Sequence, residues 1–159
     1  MNIPSELTPL LEKVTQDNGV GLDFWNELEG EDLNELFFTL ATELILSDLD
    51  ENTIPLGYKL VAYIYHWESN CLFSGWYAIE NYSDMLPTII DCYKQVGLEQ
   101  EALAIAKACE AWDSEEQDHD KVGAAYGSVD NPYKNEDDRF VYLSNYFKTN
   151  SQFLFYAGN

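Results

Sequence analysis

Basic residues are what this chain has least of. One arginine, Arg139, and seven lysines stand against 29 acidic residues, giving a formal net charge of −21. A surface of that sign repels the phosphates of nucleic acid and the anionic face of a membrane, so direct binding to either is not expected. Cysteine is scarce and unpaired: Cys71, Cys92 and Cys109 are odd in number and form no CxxC. They read as buried, reduced thiols of a cytoplasmic protein rather than as a disulfide framework or a zinc site. No run approaches the roughly 18 apolar residues of a membrane span, and the opening Met-Asn-Ile-Pro-Ser-Glu-Leu has neither the basic nor the apolar stretch of a signal peptide. Neither export nor membrane insertion is expected.

Catalytic motifs are missing as well. There is no GxSxG, HExxH, Walker loop or GxGxxG, and histidine occurs only at His66 and His119. His66 lies in an aromatic helical stretch and reads as a packed side chain. His119 sits between Asp118 and Asp120, which could help bind a cation, but only carboxylates surround it. Asp48, Asp50 and Asn52 invite comparison with a calcium loop. With Asp48 at the first position, Thr53 stands where the turn glycine belongs and Lys59 where the bidentate glutamate belongs, so the segment reads as a connector. No catalytic residue, cofactor or metal site is assigned.

What the chain does have is a core. Apolar residues make up 46% of it, and 4 Trp, 11 Tyr and 8 Phe run from end to end, which sets it apart from disordered acidic tails. The pattern predicts an all-α fold, a single compact domain over 1–159 with about seven to nine helices. Ser5 is placed to cap a first helix with Leu7, Leu10, Leu11 and Val14 inward, and Leu22, Trp25 and Leu28 suggest a short second one. Leu33, Leu36, Phe37, Leu40 and Leu44 follow the 3.6-residue period of a central helix. Further helices follow from Leu60, Val61, Ile64 and Tyr65, from Leu86, Ile89 and Tyr93 behind a cap at Ser83 or Asp84, and from Ala102, Ile105 and Cys109. Gly123, Gly127 and Pro132 argue for a long loop over 121–135, after which Asn135 caps a last helix. The terminal Phe153-Leu154-Phe155-Tyr156 needs cover from its own core or from a second copy of the chain.

The acidity is distributed, and its densest stretch is 110–120, with six carboxylates in eleven residues and no lysine or arginine. Acids at Glu136, Asp137 and Asp138 are what a helix N-terminus selects, and those around Asp48 fit a turn. Asp113, Glu115, Glu116, Asp118 and Asp120 have neither explanation, and acids at a helix C-terminus oppose the macrodipole. They are the predicted centre of a partner-binding surface, with Asp17, Glu27, Glu29, Glu31, Asp32 and Glu35 as its extension. Carboxylates on one helix face recur about every 5.4 Å, between one and two of the roughly 3.4 Å phosphate steps of a DNA strand, so such a surface can imitate DNA.

The middle of the chain carries a resemblance. Ser-Gly-Trp-Tyr-Ala-Ile-Glu-Asn over 74–81, then Asp-Met-Leu-Pro-Thr-Ile-Ile-Asp-Cys-Tyr-Lys-Gln-Val-Gly from 84 and Ala-Leu-Ala-Ile-Ala-Lys-Ala from 102, resembles a bacterial all-α family once known only as a domain of unknown function. The likeness spans about 71–111. Where that family usually carries a polar residue and paired aromatics, this chain has Trp76-Tyr77-Ala78-Ile79. In acidity, length and opening residues the chain is most similar to the family's dimeric DNA mimics, which bind a helix-turn-helix transcription factor and keep it off its operator. The resemblance implies a homodimer whose partner is a DNA-binding protein and whose action needs no catalysis. Two other readings stay open, an acidic module that sequesters a histone-like or other basic protein, and a divalent-cation binder.

Overall fold

The computed structural model describes residues 1–114 and 117–158, and the fold is all-α, with no strand among the described residues. The helices in chain order are α1 (Thr8–Thr15), α2 (Gly30–Leu46), α3 (Leu56–Ser74), α4 (Ala78–Asn81), α5 (Leu86–Gln95), α6 (Glu99–Trp112), α7 (His119–Gly127), α8 (Glu136–Thr149) and α9 (Ser151–Leu154). Short 3-10 turns cover Ser5–Leu7, Phe24–Asn26 and Gly75–Tyr77. The residues cluster into two compact units. Unit 1 is Met1–His66 with Phe140–Asn159, and unit 2 is Trp67–Arg139. The division falls inside α3 and inside α8.

Unit 1 is organised by aromatic rings. Trp25 and Phe155 stack at 4.3 Å, and Phe24 meets Phe37 edge-on at 5.4 Å. These rings, with Tyr58 and Phe147, have no exposed surface. The predicted inner face of α2 is the observed one, since Leu33, Leu36, Phe37, Leu40 and Leu44 are all buried. Among them Asn34 is also buried, which is tolerable because it donates to Phe140 O at 3.1 Å and accepts from the Tyr65 hydroxyl at 2.6 Å. The terminal aromatic run docks on this same core. Leu154, Phe155 and Tyr156 are buried, while Phe153 stays 64% exposed. Gly57, near the start of α3, permits the docking, because a Cβ there would stand 2.6 Å from the Leu154 carbonyl.

In unit 2, α5 packs on α6 and α6 on α7. Pro87 falls in the first turn of α5 as expected, but the cap position is Met85 and no side chain caps it, so neither Ser83 nor Asp84 does so. The long loop expected over 121–135 is a correction of larger consequence. α7 occupies 119–127, and only the stretch from 128 to α8 is irregular. Glycine weakens a helix by about 1 kcal/mol relative to alanine, yet Gly123 has a packing reason to be there. A Cβ at Gly123 would lie 3.0 Å from the indole nitrogen of Trp76, so the residue read as a helix breaker is a seat for a tryptophan. Asn135 caps α8 as predicted, its Oδ1 accepting from the Asp137 N–H at 2.8 Å.

Candidate functional site

The excess charge is shared by both units. Unit 1 holds thirteen acidic residues against three lysines, and unit 2 sixteen against five basic residues. The lysines of unit 1 are all engaged. Lys13 pairs with Glu43 at 2.8 Å, Lys59 reaches Glu51 at 3.8 Å, and Lys148 donates to the Leu28 carbonyl at 2.7 Å. Asp17, Glu27, Glu29, Glu31, Asp32 and Glu35 all lie in this unit and all are exposed. Among the described residues no lysine or arginine is within ion-pair distance of them.

The geometry of α2 explains how four of these come together. Glu29 occupies the cap position in extended backbone, Glu31 and Asp32 stand in the first turn, and Glu35 follows one turn later on the face opposite the buried stripe. At 1.5 Å per residue, Glu31 and Glu35 are separated by about 6 Å along the axis. Glu27 has a local task, since its Oε1 accepts the Gly21 N–H at 2.8 Å.

The predicted centre in unit 2 needs revision. Glu115 and Glu116 lie outside the described residues. Asp113 is exposed at the C-terminus of α6, with its carboxylate against the helix dipole as expected. Asp118 and Asp120 do have a structural explanation, contrary to the sequence reading. Asp118 is the N-cap of α7, its Oδ1 accepting the Asp120 N–H at 2.9 Å, and Asp120 stands in the first turn. The sequence reading missed this because it denied the helix that they begin. His119 has its close acidic neighbour on another helix. Its Nε2 is 3.0 Å from Glu80 Oε1, within ion-pair range when protonated though outside hydrogen-bond angles, and its ring lies 4.1 Å from Tyr77 and 4.9 Å from Trp112.

Beneath the surface, unit 2 contains a charged cluster that the sequence reading did not single out. Glu68, Glu101 and Arg139 are 1%, 3% and 7% exposed. Arg139 grips Glu68 with two bonds, Nε to Oε1 at 2.7 Å and Nη2 to Oε2 at 2.9 Å. Its Nη1 donates to the Tyr133 and Lys134 carbonyls at 3.0 and 2.8 Å, which ties the segment before α8 to the cluster. The Tyr93 hydroxyl completes Glu68 at 2.6 Å. Burial alone would depress the guanidinium, but the hydrogen bonds and charge of Glu68 outweigh it and hold Arg139 above its ordinary value. The signal was present in the sequence. Glu68 is in phase with Val61, Ile64 and Tyr65, and Glu101 with Leu98, Ala102, Ile105 and Ala108, so two apolar stripes each carry one carboxylate in a chain with one arginine.

Glu101 receives neutral donors instead. The Tyr126 hydroxyl lies 2.7 and 2.9 Å from its two oxygens, Asn131 Nδ2 donates at 2.6 Å, and the nearest Arg139 nitrogen is 3.8 Å away. Burial raises its pKa, opposed by the charge of Arg139 and by these hydrogen bonds. The sign follows from linkage. A carboxyl with a raised folded pKa binds more protons folded than unfolded, so its contribution is most favourable in acid and is lost as pH rises from the ordinary glutamate value through the folded one. The stability advantage of wild type over Glu101→Gln is therefore expected to shrink as pH rises through that window, measured as urea midpoints against pH. Parallel profiles would count against a buried ionising Glu101.

The thiols are quiet. Burial pushes Cys109 up to about 11, with Asp113 and Glu110 adding to it, and burial first and Glu68 second raise Cys71 further. Cys92 is buried, whereas Cys71 and Cys109 are half-buried, less deep than expected, and none of the three is in a disulfide among the described residues. Among the described residues no helix is long and apolar enough to cross a membrane, and no group of three or more His, Cys, Asp or Glu could hold a metal ion.

Compared with protein-family models, curated proteins and solved structures, the chain matches none. Its function is read from its own charges and packing.

Proposed function

We propose that this protein is an acidic DNA mimic that acts without catalysis. It binds, as a homodimer in the cytoplasm, to the DNA-binding surface of a dimeric helix-turn-helix transcription factor and so blocks operator binding. The observation that carries the reading is the head of α2, where Glu29, Glu31, Asp32 and Glu35 are exposed and have no ion-pair partner among the described residues, while the lysines of the same unit are engaged elsewhere. Asp113 is an exposed acid of unit 2. The resemblance to the DNA-mimic family points the same way. Lysine and arginine that release counterions on meeting phosphates gain comparable Coulomb energy on meeting carboxylates, so affinity falls steeply with salt.

The test is competition. In a gel shift with a dimeric helix-turn-helix regulator captured from the same cells, a molar excess of this protein is expected to release the operator. A triple variant, Glu31→Gln, Asp32→Asn and Glu35→Gln, is expected to weaken that competition about tenfold or more, at roughly 0.5 kcal/mol or more per charge. Its melting temperature should fall only slightly, because Glu31 and Asp32 each contribute a few tenths of a kcal/mol to the helix N-terminus. Undiminished competition by the variant would remove α2 from the interface, and an operator complex untouched by wild type would end the proposal.

A further inference from the structure

Unit 2 contains a cavity of about 430 Å³, within the size range of small-ligand sites. Its apolar walls include Trp67, Trp76 and Tyr126. Trp76 is held in place, with its ring centroid 5.0 Å from that of Tyr126 and its indole nitrogen against Gly123. Glu101 and Arg139 line the cavity, and Glu136 and Asp137 stand where α8 begins beside it.

The charge accounting at this cavity is unbalanced. Two buried carboxylates share one arginine, and Arg139 spends its fork on Glu68. Glu101 has a hydroxyl and an amide for partners but no cation of its own in hydrogen-bond contact. Lys134 is the other lining cation. Its ammonium lies at Gly127, 3.3 Å from where a Cβ would stand, and it forms no ion pair with Glu101 among the described residues. A buried carboxylate without a matched cation is unfavourable unless a counter-charge arrives, and aromatic faces attract cations in the same geometry.

We propose that this cavity binds an organic cation, an ammonium or guanidinium head on a small body, with Glu101 as counter-charge and Trp67, Trp76 and Tyr126 as walls. An anion would meet Glu101, Glu136 and Asp137 and is disfavoured. The inference is independent of DNA mimicry, because Glu101 and the rings are not part of the α2 surface.

The experiment is calorimetry with tryptophan fluorescence on the full chain, at about 0.15 M salt so that diffuse surface charge is screened. Agmatine and choline serve as free cations, a short arginine-containing peptide as the side-chain form of the same head, and phosphate as the anion. The expected result is saturable binding of at least one cation with a Kd of about 1 mM or tighter and a change in indole emission. Glu101→Gln should weaken it about tenfold or more. Trp76→Leu, at a half-exposed position that leaves the Arg139 cluster intact, should weaken it as well and keeps the test decisive if Glu101→Gln folds poorly. Binding of the peptide but not of agmatine would assign the head to a protein side chain and support the same chemistry. Saturable phosphate binding without cation binding overturns the proposal, as do cation affinities unchanged in both variants or no saturable signal from any cation.

Discussion

Replacement of Arg139 by methionine is expected to destabilise the protein by about 3–5 kcal/mol, the range for removing one member of a buried ion pair and leaving the other charged. The side chain is 7% exposed, and every nitrogen is committed. Its loss strands Glu68, which is 1% exposed and keeps only the Tyr93 hydroxyl, and removes the positive charge that opposes the burial of Glu101. It also frees the Tyr133 and Lys134 carbonyls, so the segment between α7 and α8 should gain amide exchange. Urea denaturation at neutral pH measures the effect. A second variant separates stranded charge from lost volume, because Arg139→Met combined with Glu68→Met removes both partners and should recover at least about 1 kcal/mol of the single-variant loss. If the single substitution costs under about 1 kcal/mol, the pair is not buried as described.

How much of this was legible from residues alone depends on which rule each segment obeyed. α2 was readable because five positions at helical spacing are apolar and the structure buries all five. The start of α8 was readable because Asn135 and the acids behind it satisfy both capping and dipole preferences at once. α7 is hidden in the sequence because Gly123, with Gly127 and Pro132, signals a loop, whereas Gly123 is small to admit Trp76, forty-seven positions earlier in the sequence. That signal carried into the candidate site. Once α7 exists, Asp118 is its N-cap and Asp120 stands in its first turn, and Glu110 and Asp113 are left as the described acids of 110–120 that oppose a helix dipole. The buried cluster was missed for a different reason. A count of charges does not separate Glu68 and Glu101 from the acidic surface, whereas their phase on α3 and α6 places them inside.

Trp25→Ala is expected to cost unit 1 about 3–5 kcal/mol, the usual range for deleting a buried aromatic ring. The indole has no exposed surface and lies in a ring lattice, stacked on Phe155 at 4.3 Å and edge-on to Phe24 at 5.2 Å and Tyr156 at 5.9 Å. Its Nε1 donates to the Tyr156 hydroxyl at 3.3 Å, which also accepts from Asn26 Nδ2 at 2.9 Å. Because Phe155 and Tyr156 belong to the docked C-terminal run, a cavity at Trp25 should loosen that run first, read as faster exchange of the Phe155 amide. Trp25→Phe keeps a ring against Phe155 and loses only the N–H donor and part of the volume, so it should cost roughly 1–2 kcal/mol. Phe37 stands on the inner face of α2 and touches both Phe24 and Phe155, so the lattice that Trp25 completes also fixes the orientation of the helix that presents Glu31, Asp32 and Glu35. Trp25→Ala should therefore lower partner affinity although Trp25 touches no partner, whereas Trp25→Phe should leave affinity near that of wild type. A variant that melts early yet competes for the regulator undiminished would show that the acidic face of α2 does not depend on this core.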